Sequence, residues 1–393
     1  MEFHENEVVR LTQEMVRIKS ENPGTYDGPF EKEMGDFVYS YLEKTGAEMH
    51  RQEVFPGRDN IIAYIPGEND VERLVFMCHM DVVPIGGGWR DDIGSPTEAR
   101  IIGSRMWGRG SCDMKSGLAC SLVAFKDMAK YLKENGITPK HSFMYIATVD
   151  EEADMVGADK AIEAGWVTKD SWVLDNEPTE GKVKVSHKGK TWFKITAIGK
   201  SAHASIPETG IDAVSGMAEF ISAFNKRIAP CPPHAELGRT AATYGIINGG
   251  LNINIVPEKC EVLIDMRLVP PIDNKKSIEM AHEAVAEAME KVPGVTFDVH
   301  VLSGRPPIAK DPDSPFLKYV KDAVEKVTGT VEEGLFAGYT DTAVIAATTG
   351  NINCISYGPG DLGVAHKPNE YVELDDIYRV KAVLDVLAKD ILL

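Results

Sequence analysis

The stretch VFMCHMDVVP, Val75 to Pro84, ends an apolar run on two ionisable residues, His79 and Asp81. Along a strand, residues i and i+2 project to the same face. The carboxylate can therefore steer the ring, as an acidic partner often does for a metal-binding histidine. Further ionisable residues stand just after other structured runs. Glu151-Glu152 follow HSFMYIATVD, Asp175 and Glu177 lie in or after SWVL, His366 comes after NINCISYG, and Asp113 opens a helical pattern behind a Gly-rich stretch. Histidine with carboxylates and no thiolate suits a hard-to-borderline divalent ion, zinc first, with cobalt or manganese as alternatives. Two histidines and three carboxylates can hold two ions if one carboxylate bridges them. Such a site binds a carbonyl, generates hydroxide from water at neutral pH and stabilises the oxyanion that follows. A base must take the water's proton. One of Glu151-Glu152 can do so while the other coordinates, because neighbours on a turn point differently.

Taken singly, each group has an ordinary structural explanation. Paired glutamates at a helix start complement the macrodipole, an Asp before a helix is an N-cap, and a His in AHKPNE is simply exposed. Their common position argues otherwise. Open α/β sheets gather functional groups beyond the carboxyl ends of their strands.

The elements that must position these residues alternate through the first half. An opening amphipathic pattern, MEFHENEVVRLTQEMVRIKS, and a second helix from Phe30 to Lys44, closed by Gly46, precede strands at Asn60–Tyr64 and Leu74–Cys78. A long helix from about Lys115 to Glu134 carries Leu118, Leu122, Phe125 and Leu132 at helical spacing, and Asn135-Gly136 ends it. HSFMYIATV and SWVLD are further strands. Apolar strands with helical crossovers predict an α/β fold, a mostly parallel sheet covered by helices.

Around Lys182 the pattern changes. KVKVSHKGKTWFKITAIG alternates with period two, and helices at Ile211–Arg227 and Ser277–Lys291 join strands around Tyr244–Ile255, Lys259–Met266 and VTFDVHVL. This predicts an inserted α+β domain at residues 184–302, with the catalytic domain formed by residues 1–183 and 303–393.

Composition narrows the partners. The chain has 393 residues, 42 Lys+Arg against 60 Asp+Glu and a formal net charge of -18. That balance disfavours nucleic acid and anionic membrane, both of which demand basic patches. The six scattered cysteines form no CxxC pair, which fits free thiols in a reducing compartment. The opening segment has no signal-peptide core, and no apolar run approaches the roughly 20 residues that span a bilayer. The expected location is cytoplasmic.

HMDVVP, GRGSCDMKSG, VDEEADMVGA, DNEPTE, GKSAHAS, NINIVPEKCEVLIDMR and GPGDLGVAHKPNE, in that order, resemble the zinc-dependent amidohydrolase and exopeptidase family. Its members include acetylornithine deacetylase, succinyl-diaminopimelate desuccinylase, aminoacylase, glutamate carboxypeptidase and dipeptidases. The resemblance implies a two-metal, exopeptidase-like catalytic domain with an inserted lid and dimerisation domain. It implies that His79 binds one metal and Asp81 orients it, that Asp113 bridges two metals, that Glu151 is the general base, and that Glu152 and His366 bind the second metal. Glu177 would complete the first metal's shell, with Asp175 as its rival. His203 would reach the partner subunit's active site and stabilise the oxyanion in a homodimer. Asn254 and Arg267 would contact the substrate's carboxylate end, the latter through a bidentate grip. Two features depart from the family. Its G-G-T-D-A segment appears as GYTDTA, which puts the pocket near Gly338–Asp341 in question, and the run GGGWRDD carries no assignment.

The expected reaction is hydrolysis of an amide bond in a small N-acyl amino acid, of the deacylase, deacetylase or desuccinylase type. A dipeptidase or carboxypeptidase acting on short peptides is the alternative, and a non-catalytic binding protein on the same frame is more remote. A nucleotide-dependent enzyme is disfavoured, because neither a G-x-G-x-x-G between strand and helix nor a G-K-[ST] loop is present.

Overall fold

A computed structural model of the protein describes residues 4–24, 28 and 30–393. In chain order the first elements are α1 (Glu7–Arg17), α2 (Lys32–Leu42), β1 (Glu48–Phe55), β2 (Arg58–Ile65), β3 (Asn69–His79), β4 (Arg100–Ile102), β5 (Arg105–Trp107), α3 (Lys115–Asn135), β6 (His141–Thr148), α4 (Val156–Glu163), β7 (Trp172–Pro178) and β8 (Val183–His187). Then come β9 (Gly189–Ile198), α5 (Ala213–Ile228), β10 (Ala241–Gly249), β11 (Lys259–Leu268), α6 (Asn274–Lys291) and β12 (Thr296–Arg305). The chain closes with α7 (Pro315–Thr328), β13 (Glu333–Phe336), α8 (Asp341–Thr349), β14 (Cys354–Gly358), β15 (Tyr371–Glu373) and α9 (Leu374–Leu392). The start of the opening helical pattern, residues 1–3, lies outside the described residues; its helix begins at Glu7, capped by the Asn6 side chain.

Two compact units emerge: Met1–Val185 with Lys310–Phe336 and Thr340–Leu393, and Ser186–Ala309 with Ala337–Tyr339. The change of sequence pattern falls at residues 183–184 and 302–303. In the first unit an eight-stranded sheet runs β1-β2-β6-β3-β7-β14-β8-β13. Its centre, β6-β3-β7-β14, is parallel, whereas β1-β2, β2-β6 and β14-β8 are antiparallel. Strand β1 carries no strong sequence signal; its burial is partial and it gains its place by pairing with β2. The apolar stripe of α3 is driven inward, with Leu118, Leu122 and Phe125 fully buried, each such side chain contributing roughly 1.5–3 kcal/mol. Gly136, at φ +62°, ends that helix in the left-handed conformation that glycine tolerates.

The parallel arrangement places the carboxyl ends of four neighbouring strands at one edge. His79 closes β3, Glu151 and Glu152 follow β6, Glu177 lies near the end of β7, and the segment bearing His366 follows β14.

The second unit is a four-stranded antiparallel sheet, β10-β11-β9-β12, covered by α5 and α6. One expectation fails here. The strand around Tyr244–Ile255 ends at Gly249, because Gly250 turns at φ +80° and the following NINI alternation is exposed on every residue. Period two without a buried face makes a loop, not a strand. Among the described residues, no helix is long and apolar enough to cross a membrane, and the six cysteines are free.

Candidate active site

Asp113 lies between two histidines. Its Oδ1 is 3.2 Å from His79 Nε2 and its Oδ2 is 3.3 Å from His366 Nε2. His79 Nε2 also lies 3.6 Å from Glu177 Oε1 and 3.9 Å from Glu151 Oε2, while His366 Nε2 lies 2.8 Å from Glu152 Oε2. His79, Glu151 and Glu177 offer ligand atoms within 4.8 Å of one another, and so do His79, Asp113 and Glu152. The other nitrogen of His79, Nδ1, sits 3.0 Å from the Asp81 carbonyl oxygen and 3.5 Å from its Oδ1.

Asp81 is fully buried and acts as a hub. Its oxygens accept the backbone N–H of Glu151 at 3.2 Å, that of Glu152 at 3.1 Å and the Asn22 amide at 2.9 Å. Burial opposes its ionisation, but the His79 hydrogen bond and these donors hold its carboxyl below the usual range. Asp150, at φ +70°, turns the chain into the glutamate pair, and His366 also sits in the left-handed region at φ +60°. Asp and His tolerate that region better than most residues.

The electrostatics call for a cation. Burial, with the charges of Glu152, Asp341 and Asp113, pushes Glu151 well above the ordinary carboxylate range; burial and the charges of Asp113 and Glu151 do the same to Glu177. Asp113 is held well below its usual value by hydrogen bonds from His366 and His79, although burial opposes this. Hydrogen bonds to Asp113 and Glu152 raise His366 to about 10. Among the described residues, the ion-pair partners of these four carboxylates are histidines alone. Glu152 Oε1 is buried without a hydrogen-bond partner. Four carboxylates converging on two imidazoles, one oxygen unsatisfied, fit divalent ions of the zinc, cobalt or manganese type.

Residues 75–390 match peptidase family M20/M25/M40. The chain belongs to that family. As an M20 peptidase-family member it is a hydrolase of amide bonds. It is 25% identical over 95% of its length to a Staphylococcus aureus protein named "Probable succinyl-diaminopimelate desuccinylase", covering 94% of that protein. Its fold is similar to aminopeptidase PepT from Bacillus cereus, with TM-score 0.79, 24% identity and 99% of both chains covered. It is also similar to the YXEP protein of Bacillus subtilis, described as a dinuclear metal binding peptidase, with TM-score 0.72, 16% identity and coverage of 98% and 97%.

In this M20 hydrolase the remaining candidates sit as follows. Asp175 does not share the surroundings of Glu177. Its Oδ2 accepts the Thr342 hydroxyl at 2.7 Å. Asp175 pairs with Met77 of β3, two residues short of His79, so it lies one pleat step further from the carboxyl edge than Glu177. In the second unit His203 is exposed, and its Nδ1 lies 2.8 Å from the Ser205 hydroxyl. Asn254 is exposed in the 250–255 loop, where its carbonyl accepts the Ala204 N–H at 3.0 Å. Arg267 donates to Asp265 from Nη2 at 3.0 Å. The Gly338 backbone hydrogen-bonds the His187 ring, and the Tyr339 hydroxyl donates to the Pro306 carbonyl at 3.1 Å. Tyr339 and Thr342, the altered residues of GYTDTA, thus both have defined partners.

Sequence reasoning missed the supports behind the site. Arg58 and Glu31 form a fully buried ion pair, Nη2 to Oε1 at 2.6 Å, and Arg58 also reaches Asp150 at 3.2 Å. Asn22 links Asp150 to Asp81. Glu370 accepts the backbone N–H groups of Cys112 and Asp113. The Asn-Glu after His366 was the only local signal for Glu370; nothing local marks Arg58.

Proposed function

We propose that the protein is a two-metal hydrolase that removes the acyl group from a small N-acyl amino acid. The observation that carries this reading is Asp113, which offers one carboxylate oxygen to each of two histidines. In it, His79 and Glu177 would hold one ion and His366 and Glu152 the other, with Asp113 shared between them. Zinc is the expected metal, with cobalt or manganese as substitutes. When bound, such ions polarise the amide carbonyl and make water acidic enough to attack at neutral pH.

The chain's own groups do the rest. Glu151 takes the attacking water's proton and returns it to the departing amine. Asp81 fixes the tautomer and orientation of His79. The second unit serves as the lid: His203 donates to the developing oxyanion of a partner subunit, while Asn254, Arg267 and the Gly338 segment receive the substrate's carboxylate end. A homodimer through this unit is supported by its exposed apolar loop, where Leu251 is 85% and Ile253 99% exposed, next to the sheet-edge strand β10. The acidic surface and free thiols suit a cytoplasmic enzyme.

Chelation tests the reading. Metal-free protein is expected to be inactive against N-acyl amino acids, dipeptides and tripeptides, and zinc or cobalt is expected to restore hydrolysis with about two ions per chain. N-acyl amino acids should be the preferred group. Full activity in verified metal-free protein would overturn the mechanism, and preference for free-amine peptides would transfer the assignment to a peptidase.

A further inference from the structure

The run GGGWRDD packs into the framework of the metal-ligand cluster. Glu370 is completely buried, and its Oε1 accepts the backbone N–H of Cys112 at 2.9 Å and of Asp113 at 3.1 Å. Its Oε2 accepts from Arg109 Nη1 at 2.5 Å. Arg109, also buried, reaches the Pro84 and Ile85 carbonyls through Nη2 at 3.4 Å. Trp89 covers it, the ring centroid 5.5 Å from the guanidinium carbon, and is itself fixed by Nε1 donating to the Ile85 carbonyl at 3.0 Å. The next residue, Arg90, donates its N–H to Asn369 Oδ1 at 2.8 Å.

These contacts join three segments: the exit from β3 that follows His79 and Asp81, the turn bearing Asp113, and the segment bearing His366. A carboxylate accepting two consecutive N–H groups fixes both peptide planes, and hence the point from which the Asp113 side chain departs. A buried ion pair is a poor source of net stability, since desolvation offsets the attraction. An aromatic cover strengthens the hold on Arg109.

We infer that Trp89, Arg109 and Glu370 are positioning residues that set the placement of the Asp113 carboxylate between His79 and His366, so that GGGWRDD belongs to the metal site. This rests on the two-metal reading above. Removal of the Trp89 cover, which leaves the Arg109–Glu370 pair intact, should therefore alter metal binding before it alters folding. Outer supports of this kind typically cost about 10–100-fold in metal affinity when removed.

The test uses cobalt(II) as probe on full-length protein, reading affinity by chelator competition, the visible d–d spectrum, and melting of the metal-free protein. Trp89→Ala and Glu370→Gln are expected to weaken cobalt binding about 10–100-fold and shift the spectrum. The metal-free Trp89→Ala protein should melt as wild type, whereas Glu370→Gln, which leaves buried Arg109 unpaired, should also melt lower. Trp89→Phe, which keeps a ring face over Arg109, should recover most of the affinity. Arg105→Ala, in the half-buried pair with Glu373, is the control and should bind cobalt normally. Wild-type affinity and spectrum in both Trp89→Ala and Glu370→Gln, with or without a lower melting temperature, would overturn the positioning role alone. Wild-type protein that takes up no cobalt would overturn the two-metal reading, and this inference with it.

Discussion

Asp81 Oδ1 accepts the backbone N–H of Glu151 at 3.2 Å across 70 residues of chain, while its other oxygen accepts that of Glu152. The residue that steers His79 thus also holds the turn carrying both glutamates. The turn then separates them: Glu151 faces His79, and Glu152 faces His366.

That separation predicts different consequences for two identical substitutions. Glu151→Gln should retain both metals and lose at least about a hundredfold in kcat, the scale of a general base. Glu152→Gln should lose metal instead. Metal analysis beside single-turnover rates checks this, and the reverse pattern would exchange the two roles.

Glu177 and Asp175 offer a second contrast. Glu177→Gln should weaken binding of the first metal, because its Oε1 lies 3.6 Å from His79 Nε2. Asp175→Asn should keep full metal content, since the Thr342 hydroxyl already engages its Oδ2. Equal metal loss in the two variants would refute the assignment of Glu177.

His203 carries the dimer hypothesis. His203→Ala should bind metal and dimerise normally yet turn over about a hundred- to a thousandfold more slowly, as when one oxyanion donor is lost. Mixed dimers of Glu151→Gln and His203→Ala should regain part of the activity, because one of their two sites has both groups intact. Mixed dimers as inactive as their parents would rule out action across the interface.

His187 in the second unit predicts a pH effect on stability. It is 2% exposed and faces the edge of Tyr339. Burial lowers its pKa from 6.5 to about 3, with only the Gly338 backbone opposing. The unfolded chain therefore takes up the proton first as pH falls. The stability from neutral His187 is complete above pH 6.5 and is lost progressively between 6.5 and about 3. Denaturant unfolding of His187→Gln should show a flatter pH dependence across that window. Parallel curves for the two proteins would exclude the effect.

The sequence by itself determined the elements with strong periodicity and the chemistry of the site. The stripe of α3, the runs of β3, β6 and β14, and the histidine-and-carboxylate set are local properties, written in residue type and spacing. Where burial rather than pattern decides, the reading failed: NINI alternates like a strand, yet lies exposed in a loop after Gly250. Only the tertiary structure decided which groups meet. The order β6-β3-β7-β14 brings together turns far apart in the chain. Strand register sets Asp175 level with Met77, where it meets Thr342, while Glu177 reaches His79. Glu370 reaches Arg109 across 261 residues. Such pairings leave no local trace, because a buried polar group is satisfied by whatever donor the packing presents, and sequence distance carries no information about that donor.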